Sequence, residues 1–261
     1  MAGPNLLLQP IAVQPLDKGA IWLVTLNAPK GNVLDRAMGA ALTDTFLDAA
    51  ERPNLCAIVL TGAGDHFSFG ASVKEHLPGE VDQMLPEFHR LIVSLFDASI
   101  PTLAAVRGQC LGGGMELALA CQRIIASPEA KFGQPEVNLG VFAPVASLLL
   151  PERVGRARAE ELCLTGRVIA ADEASRIGLV DSIAPDPVEA ALDWVRANLL
   201  SKSASSLRLA LRALRQTHRE RFVADLERLE RLYLTDLMAT HDATEGLKAF
   251  LEKRPAQWRN G

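Results

Sequence analysis

The chain has 261 residues, 49% of them hydrophobic and 22% charged, which is enough apolar material for one large domain or a domain with an appended subdomain. A formal charge of −4 gives no general attraction to nucleic acid or to an anionic membrane, so an anionic ligand must be met by local positive groups. The opening "MAGPNLLLQPIAVQP" has no basic start, and prolines or charges interrupt each apolar run before it reaches spanning length; a cytoplasmic protein is expected.

Residues 20–27 (AIWLVTLN) read as the first buried strand, followed by apolar residues at helical spacing over 35–51. Residues 55–62 read as a second strand, 81–97 as a helix, and 100–108 and 121–127 as two further strands. Such alternation predicts an α/β core with crossover connections. Cys56, Cys110, Cys121 and Cys163 lie singly among apolar residues, without CxxC pairs or histidines at ligand spacing, and read as reduced core thiols; no metal is expected. After Pro151 the pattern turns to helices and turns. There "SLRLALRALRQTHRERF" places Leu207, Leu211 and Leu214 on an apolar face, and Arg208, Arg212, Arg215 and Arg219 on a basic face expected to be solvated near Glu220 and Glu227.

Two chemical signatures fail. "TGAGDHFSFG" offers Gly62 and Gly64 but has Phe67 where a dinucleotide fingerprint needs its third glycine, and neither GxSxG nor HExxH occurs. What remains is two loop-to-helix junctions, "DHFSFGASVKEH" around Gly70 and Ala71, and "GQCLGGGMELALA" with Gly112, Gly113 and Gly114. Small residues admit close approach to the main chain, and a helix start presents unpaired N–H groups with the dipole behind them. Two such junctions can give two donors to one oxygen, the recipe for an oxyanion hole; tight helix packing is the other use of such glycines. Glu116 opens a helix that continues "LALAC", an apolar setting unusual for a carboxylate, and Glu136 lies in "KFGQPEVNLGVFAP" twenty residues on, so the two can meet only through the fold.

Six segments in order, "LNAPKGNVLD", "FSFGASVKEH", "GQCLGGGMELALAC", "AKFGQPEVNLGV", "LTGRVIAADEASRIGLVD" and "EGLKAFLEKRPAQW", resemble the crotonase, or enoyl-CoA hydratase/isomerase, superfamily. The resemblance implies a crotonase-like spiral of ββα units with two roughly perpendicular sheets. It implies residues 1–200 as the core holding the thioester, and 201–261 as a helical region for oligomerisation and coenzyme A closure, in a homotrimer or dimer of trimers. The substrate it implies is an acyl-CoA, with coenzyme A as part of that substrate and no separate cofactor. Oxyanion donors fall on the backbone N–H groups of Ala71 and Gly113, and the catalytic pair on Glu116 and Glu136. Lys30, Gly70, Ser72, Val73 and Gly112 fall near the coenzyme A and thioester, and Phe250 and Lys253 on positions that reach it from a neighbouring subunit.

This sequence departs from the family pattern at Ser72, where an aspartate is usual, and at "GVFAPVASLLLP", where Phe142, Ala143, Pro144 and Val145 replace a glycine-rich loop. The bulkier, stiffer wall at Phe142 and Pro144 suits a flat conjugated ring, with a short-chain enoyl thioester as the alternative. Hydration of the conjugated thioester is the expected reaction; isomerisation on the same scaffold, and noncatalytic acyl-CoA or RNA binding through the arginine stripe, are the competing readings.

Overall fold

A computed structural model describes residues 9–261, and each of the four predicted apolar runs, 20–27, 55–62, 100–108 and 121–127, holds a strand. The larger sheet has the order β1-β2-β3-β4-β6-β9, built from β1 (Ile11–Leu16), β2 (Ile21–Leu26), β3 (Ala57–Gly62), β4 (Thr102–Val106), β6 (Arg123–Ala126) and β9 (Ser182–Ile183). Only β1 runs antiparallel to its neighbour. The smaller sheet joins β5 (Gln109–Leu111), β7 (Lys131–Gly133) and β8 (Val168–Ala170) in that order. In each of two successive units one strand enters the large sheet, the next enters the small sheet, and a helix follows. The first is β4, β5 and α4 (Gly113–Leu119), and the second is β6, β7 and, after a 3₁₀ turn, α5 (Pro144–Val154). This is the spiral of ββα units expected from the sequence.

Before that spiral come a single turn α1 (Pro29–Asn32), α2 (Arg36–Ala50) and α3 (Val81–Ala98). Asp35 caps α2 by accepting from Met38 N at 2.9 Å, so the predicted helix over 35–51 begins with its cap. Helices α6 (Arg156–Thr165), α7 (Ala171–Arg176), α8 (Pro187–Asn198), α9 (Ala204–Arg231) and α10 (His241–Leu251) complete the chain. The predicted elements do not include β5, β7, β8 and β9, which are two or three residues long and carry too few side chains to show a period of two, nor β1, whose side chains are mostly exposed. Among the described residues no helix is long and apolar enough to cross a membrane. The four cysteines are free thiols, and Cys56, Cys110 and Cys121 are buried.

The faces of α9 depart in part from those expected. Leu207 and Leu211 are half-buried and Arg212 is exposed, but Leu214 is 82% exposed, while Arg208, Arg215 and Arg219 turn towards the body of the protein. Arg208 donates to Ala50 O at 2.7 Å and Ala49 O at 3.3 Å at the C-terminal end of α2, where carbonyls run out of intrahelical donors, and to Leu55 O at 3.4 Å in the loop that follows. Arg215 donates to Ala120 O at the end of α4 at 3.0 Å and lies over the Phe96 ring. Arg219 pairs with Asp97, Nε to Oδ1 at 2.6 Å, instead of with the acids of its own helix. Apolar periodicity alone could not find this, because the partners are main-chain carbonyls remote in sequence.

Arg208→Ala should lower unfolding free energy by about 1–3 kcal/mol, since the carbonyls it covers lose their donors. Arg212→Ala, at an exposed position of the same stripe, should stay within about 0.5 kcal/mol. Urea unfolding at matched protein concentration measures both.

Candidate active site

Strand β5 ends at Leu111, and Gly112 turns the chain into α4 with φ 50° and ψ −129°, a conformation open to glycine and few others. The position is tight as well as strained: a Cβ on Gly112 would lie 2.5 Å from Glu136 Oε1. Gly112 is thus what lets the second carboxylate approach the start of α4. The first junction packs directly against this one. A Cβ on Gly70, at φ 100°, would sit 3.3 Å from Gly113 N, and one on Gly113 would sit 3.1 Å from Ala71 N. A parallel bridge from Ser68 to Cys110 ties the two loops together, and another from Leu34 to Ala71 ties the first to the segment before α2. Among the described residues neither the Ala71 nor the Gly113 amide has a hydrogen-bond acceptor, and both border one cavity of about 650 Å³.

Glu116 and Glu136 border that cavity too. Glu116 lies on the fully buried α4 and is 4% exposed. Its Oε1 accepts from Ala146 N at 2.8 Å, at the first turn of α5, where Pro144 occupies a position that needs no donor. The "FAPVA" segment therefore does more than narrow the pocket: it aims a helix start at the first carboxylate. Glu136 follows Pro135 in the 3₁₀ turn Pro135–Leu139, and Gly140 at φ 73° ends that turn. Gln134 is fully buried with its amide against Glu136; with the amide nitrogen assigned to that side, it donates to both Glu136 oxygens at 3.0 and 3.1 Å.

Among the described residues neither acid has a cation beside it. Burial raises Glu116 from 4.5 to about 7, offset in part by the Ala146 and Val145 amides. Burial raises Glu136 further, to about 8, and the charge of Glu116 adds to it. Both carboxyls are thus held above the ordinary carboxylate range, and they titrate as a pair that keeps one proton between them near neutral pH. Adjacent free amides, one carboxylate and one carboxylic acid can stabilise an anion on a carbonyl oxygen while a proton is taken at one atom and given at another.

Of the other sequence-predicted positions, Gly70, Val73, Phe142, Pro144 and Phe250 border the cavity. Lys30, Ser72 and Lys253 do not line it. Lys30 is exposed beside Gly31, which packs beneath the rim residue Phe69; Ser72 offers its carbonyl to His76 Nδ1 at 2.8 Å; and Lys253 is exposed. Phe250, expected to serve a neighbouring subunit, edges the cavity of its own chain and is 56% exposed. The reason is that α10 folds back over the 135–140 turn, so closely that a Cβ on Gly246 would overlap Leu139 O. Sequence reasoning missed His76, Gln134, Tyr233 and Arg254. Only Gln134, two residues before Glu136, carried a local signal; the others are brought in by tertiary packing.

The family model described as enoyl-CoA hydratase/isomerase matches residues 17–261. The chain is 51% identical over 242 residues to a cyclohexa-1,5-dienecarbonyl-CoA hydratase of Thauera aromatica, covering 93% of this chain and 94% of that protein. It is 39% identical over 251 residues to a probable enoyl-CoA hydratase of Rhizobium meliloti, covering 93% and 96%. An enoyl-CoA hydratase crystal structure from Mycobacterium avium subsp. paratuberculosis K-10 superimposes with a TM-score of 0.84 at 29% identity, covering 97% of this chain and all of that one. With its spiral of strands and its match over residues 17–261, the chain belongs to the enoyl-CoA hydratase/isomerase family.

Proposed function

We propose that the protein is a hydro-lyase that adds water to a conjugated acyl-CoA thioester, converting cyclohexa-1,5-diene-1-carbonyl-CoA to 6-hydroxycyclohex-1-ene-1-carbonyl-CoA. The observation that carries the hydratase reading is the pair of carboxyls, Glu116 buried and Glu136 half-buried, bordering one cavity with two adjacent free amides and with no cation beside either acid among the described residues. The ring is supported by the Thauera aromatica relative's name and by the wall that Phe142 and Pro144 present.

The thioester oxygen accepts from the Ala71 and Gly113 amides. Ionised Glu116 takes a proton from water as the hydroxyl joins the ring carbon β to the carbonyl. The electron pair released spreads to the thioester oxygen and, through the second double bond, to the ring carbon opposite the point of attack. Protonated Glu136 delivers its proton to that opposite carbon. The remaining double bond moves into conjugation with the thioester on its other side, which gives the 6-hydroxy-1-ene. Water is consumed whole, and proton transfer from Glu116 to Glu136 restores the pair. An oxyanion donor of this kind is worth about 2.7–4 kcal/mol in the transition state.

Coenzyme A enters as part of the substrate, and its nucleotide end lies towards Lys30 and the strand-like Ala71–Val73 backbone, with Ser72 between. Residues 1–200 hold the thioester. Residues 201–261 close the cavity and associate subunits into a trimer or a dimer of trimers, to which the exposed Leu209 and Leu214 are suited. Phe250 and Lys253 contribute to coenzyme A closure at that boundary. The protein works in the cytoplasm.

Glu116→Gln and Glu136→Gln should each reduce turnover of the cyclic dienoyl thioester by roughly 10²–10⁴. Near-normal rates in both would remove the two-carboxylate mechanism. A side-by-side coupled assay with crotonyl-CoA tests the ring, since a large preference for the linear thioester would replace it with a short-chain substrate.

The pH profile of kcat/KM should be a bell whose limbs report the pair at about 7 and about 8, because only the singly protonated pair has both a base and an acid. Stability should move with the same groups. Native Glu136 keeps a proton that the unfolded chain releases above 4.5, so its contribution is present below 4.5 and lost as pH rises through about 8. Glu136→Gln should therefore match the wild type in thermal midpoint near pH 4.5 and exceed it increasingly up to pH 8.

A further inference from the structure

Tyr233 is the sole tyrosine of the chain. It sits in a single π-helical turn, Leu232–Leu237, continuing α9, where Met238 N donates to Tyr233 O five residues back at 3.0 Å. Such wide turns interrupt α-helices mostly at functional sites, because they cost regular hydrogen bonding. Here the turn brings the phenol inward. The residue is 1% exposed, borders the cavity that holds Glu116 and Glu136, and packs its ring 5.2 Å from Phe142 and 6.5 Å from His76 between centroids.

Among the described residues the Tyr233 hydroxyl has no hydrogen-bond partner. A buried hydroxyl without a partner is disfavoured, and one beside a substrate cavity is completed by what binds there. Burial, with the charges of Glu136 and Glu116 nearby, raises its ionisation well above the ordinary phenol range, so it acts as a neutral donor and acceptor and never as a base. His76 cannot take the donor role from its free edge. Its Nδ1 lies 2.8 Å from Ser72 O, a carbonyl that can only accept, so the proton is on Nδ1 and Nε2 is left as an acceptor. Burial also lowers the His76 pKa and favours this neutral ring.

We propose that the Tyr233 hydroxyl hydrogen-bonds to the oxygen that the reaction adds, held first as water and afterwards as the ring hydroxyl, and so makes the site favour hydroxylated acyl thioesters over unsubstituted ones. The inference rests on the hydratase reading and assigns it a third polar contact beyond the two glutamates. A site built to pair with a hydroxyl discriminates against the analogue lacking it, because its own polar group is then left unpaired.

Tyr233→Phe removes one oxygen and tests the proposal by calorimetry, without requiring turnover. Affinity for 6-hydroxycyclohex-1-ene-1-carbonyl-CoA should fall about 10-fold, while that for cyclohexanecarbonyl-CoA should change less than about 2-fold, as expected for one lost hydrogen bond. The unfolding midpoint of the free protein should be unchanged or higher, since the variant buries no orphan hydroxyl. Equal weakening of both ligands, or unaltered affinity for the hydroxylated one, overturns the proposal. If the wild type prefers crotonyl-CoA, the ring assignment fails separately, and the same comparison with 3-hydroxybutyryl-CoA and butyryl-CoA decides the tyrosine's role.

Discussion

Two carboxyl groups in one apolar cavity, with no cation beside them among the described residues, form the constraint on which the rest of the site depends. Burial of a charge in such surroundings is costly, and two at close range more so, so the pair is stable only while it keeps a proton. The fold secures this state by unequal provision. Glu116 receives main-chain donors from the start of α5, which favour its charge, whereas Glu136 has only its own backbone N–H as a main-chain donor and feels Glu116 as a repelling neighbour. The two carboxyls are thus made unequal by secondary structure, since only Glu116 faces the start of a helix.

The same economy governs the amides. Nothing but backbone is needed at Ala71 and Gly113, so the side chains there can be small, and the loops approach until a Cβ on Gly70 would press on the Gly113 amide and one on Gly113 on the Ala71 amide. Gly112 is the hinge of this arrangement. Its left-handed φ turns β5 into α4, and its missing Cβ leaves room for Glu136. One position therefore fixes an oxyanion donor and a carboxylate together, which makes the three-glycine run a requirement of geometry more than of flexibility.

Those features were legible in the sequence because each has a local signature: small residues at two strand-to-helix junctions, a glutamate out of place on an apolar helix, and an acid after Pro135 in a glycine-bounded loop. The main strands were legible for a similar reason, since parallel buried strands are continuous apolar runs. The basic face of α9 was not. Arg208 and Arg215 are used as caps for distant helix ends, and the long arginine stem carries an apolar body inward with its charge. His76 and Tyr233 were equally hidden, one following a main-chain carbonyl and the other carried in by a π turn. In each case the deciding partner lies far along the chain, and neither periodicity nor composition reports such a contact.

Tyr233 and Phe142 meet at the boundary between the spiral and the C-terminal helices, each within the same cavity. That contact means the acyl pocket is finished by residues that arrive after the catalytic ones, on a segment packed through α3 and α5 and anchored where His89 Nδ1 meets Glu230 Oε2 at 2.6 Å. The glutamates, the two amides and the wall at Phe142 and Pro144 all precede α6, and Tyr233, Leu247 and Phe250 complete the cavity from the C-terminal helices. The pocket is therefore shared between two parts of the chain. A relative that kept the junctions and both acids could change its acyl group by altering only the turn that delivers Tyr233 and the wall opposite it.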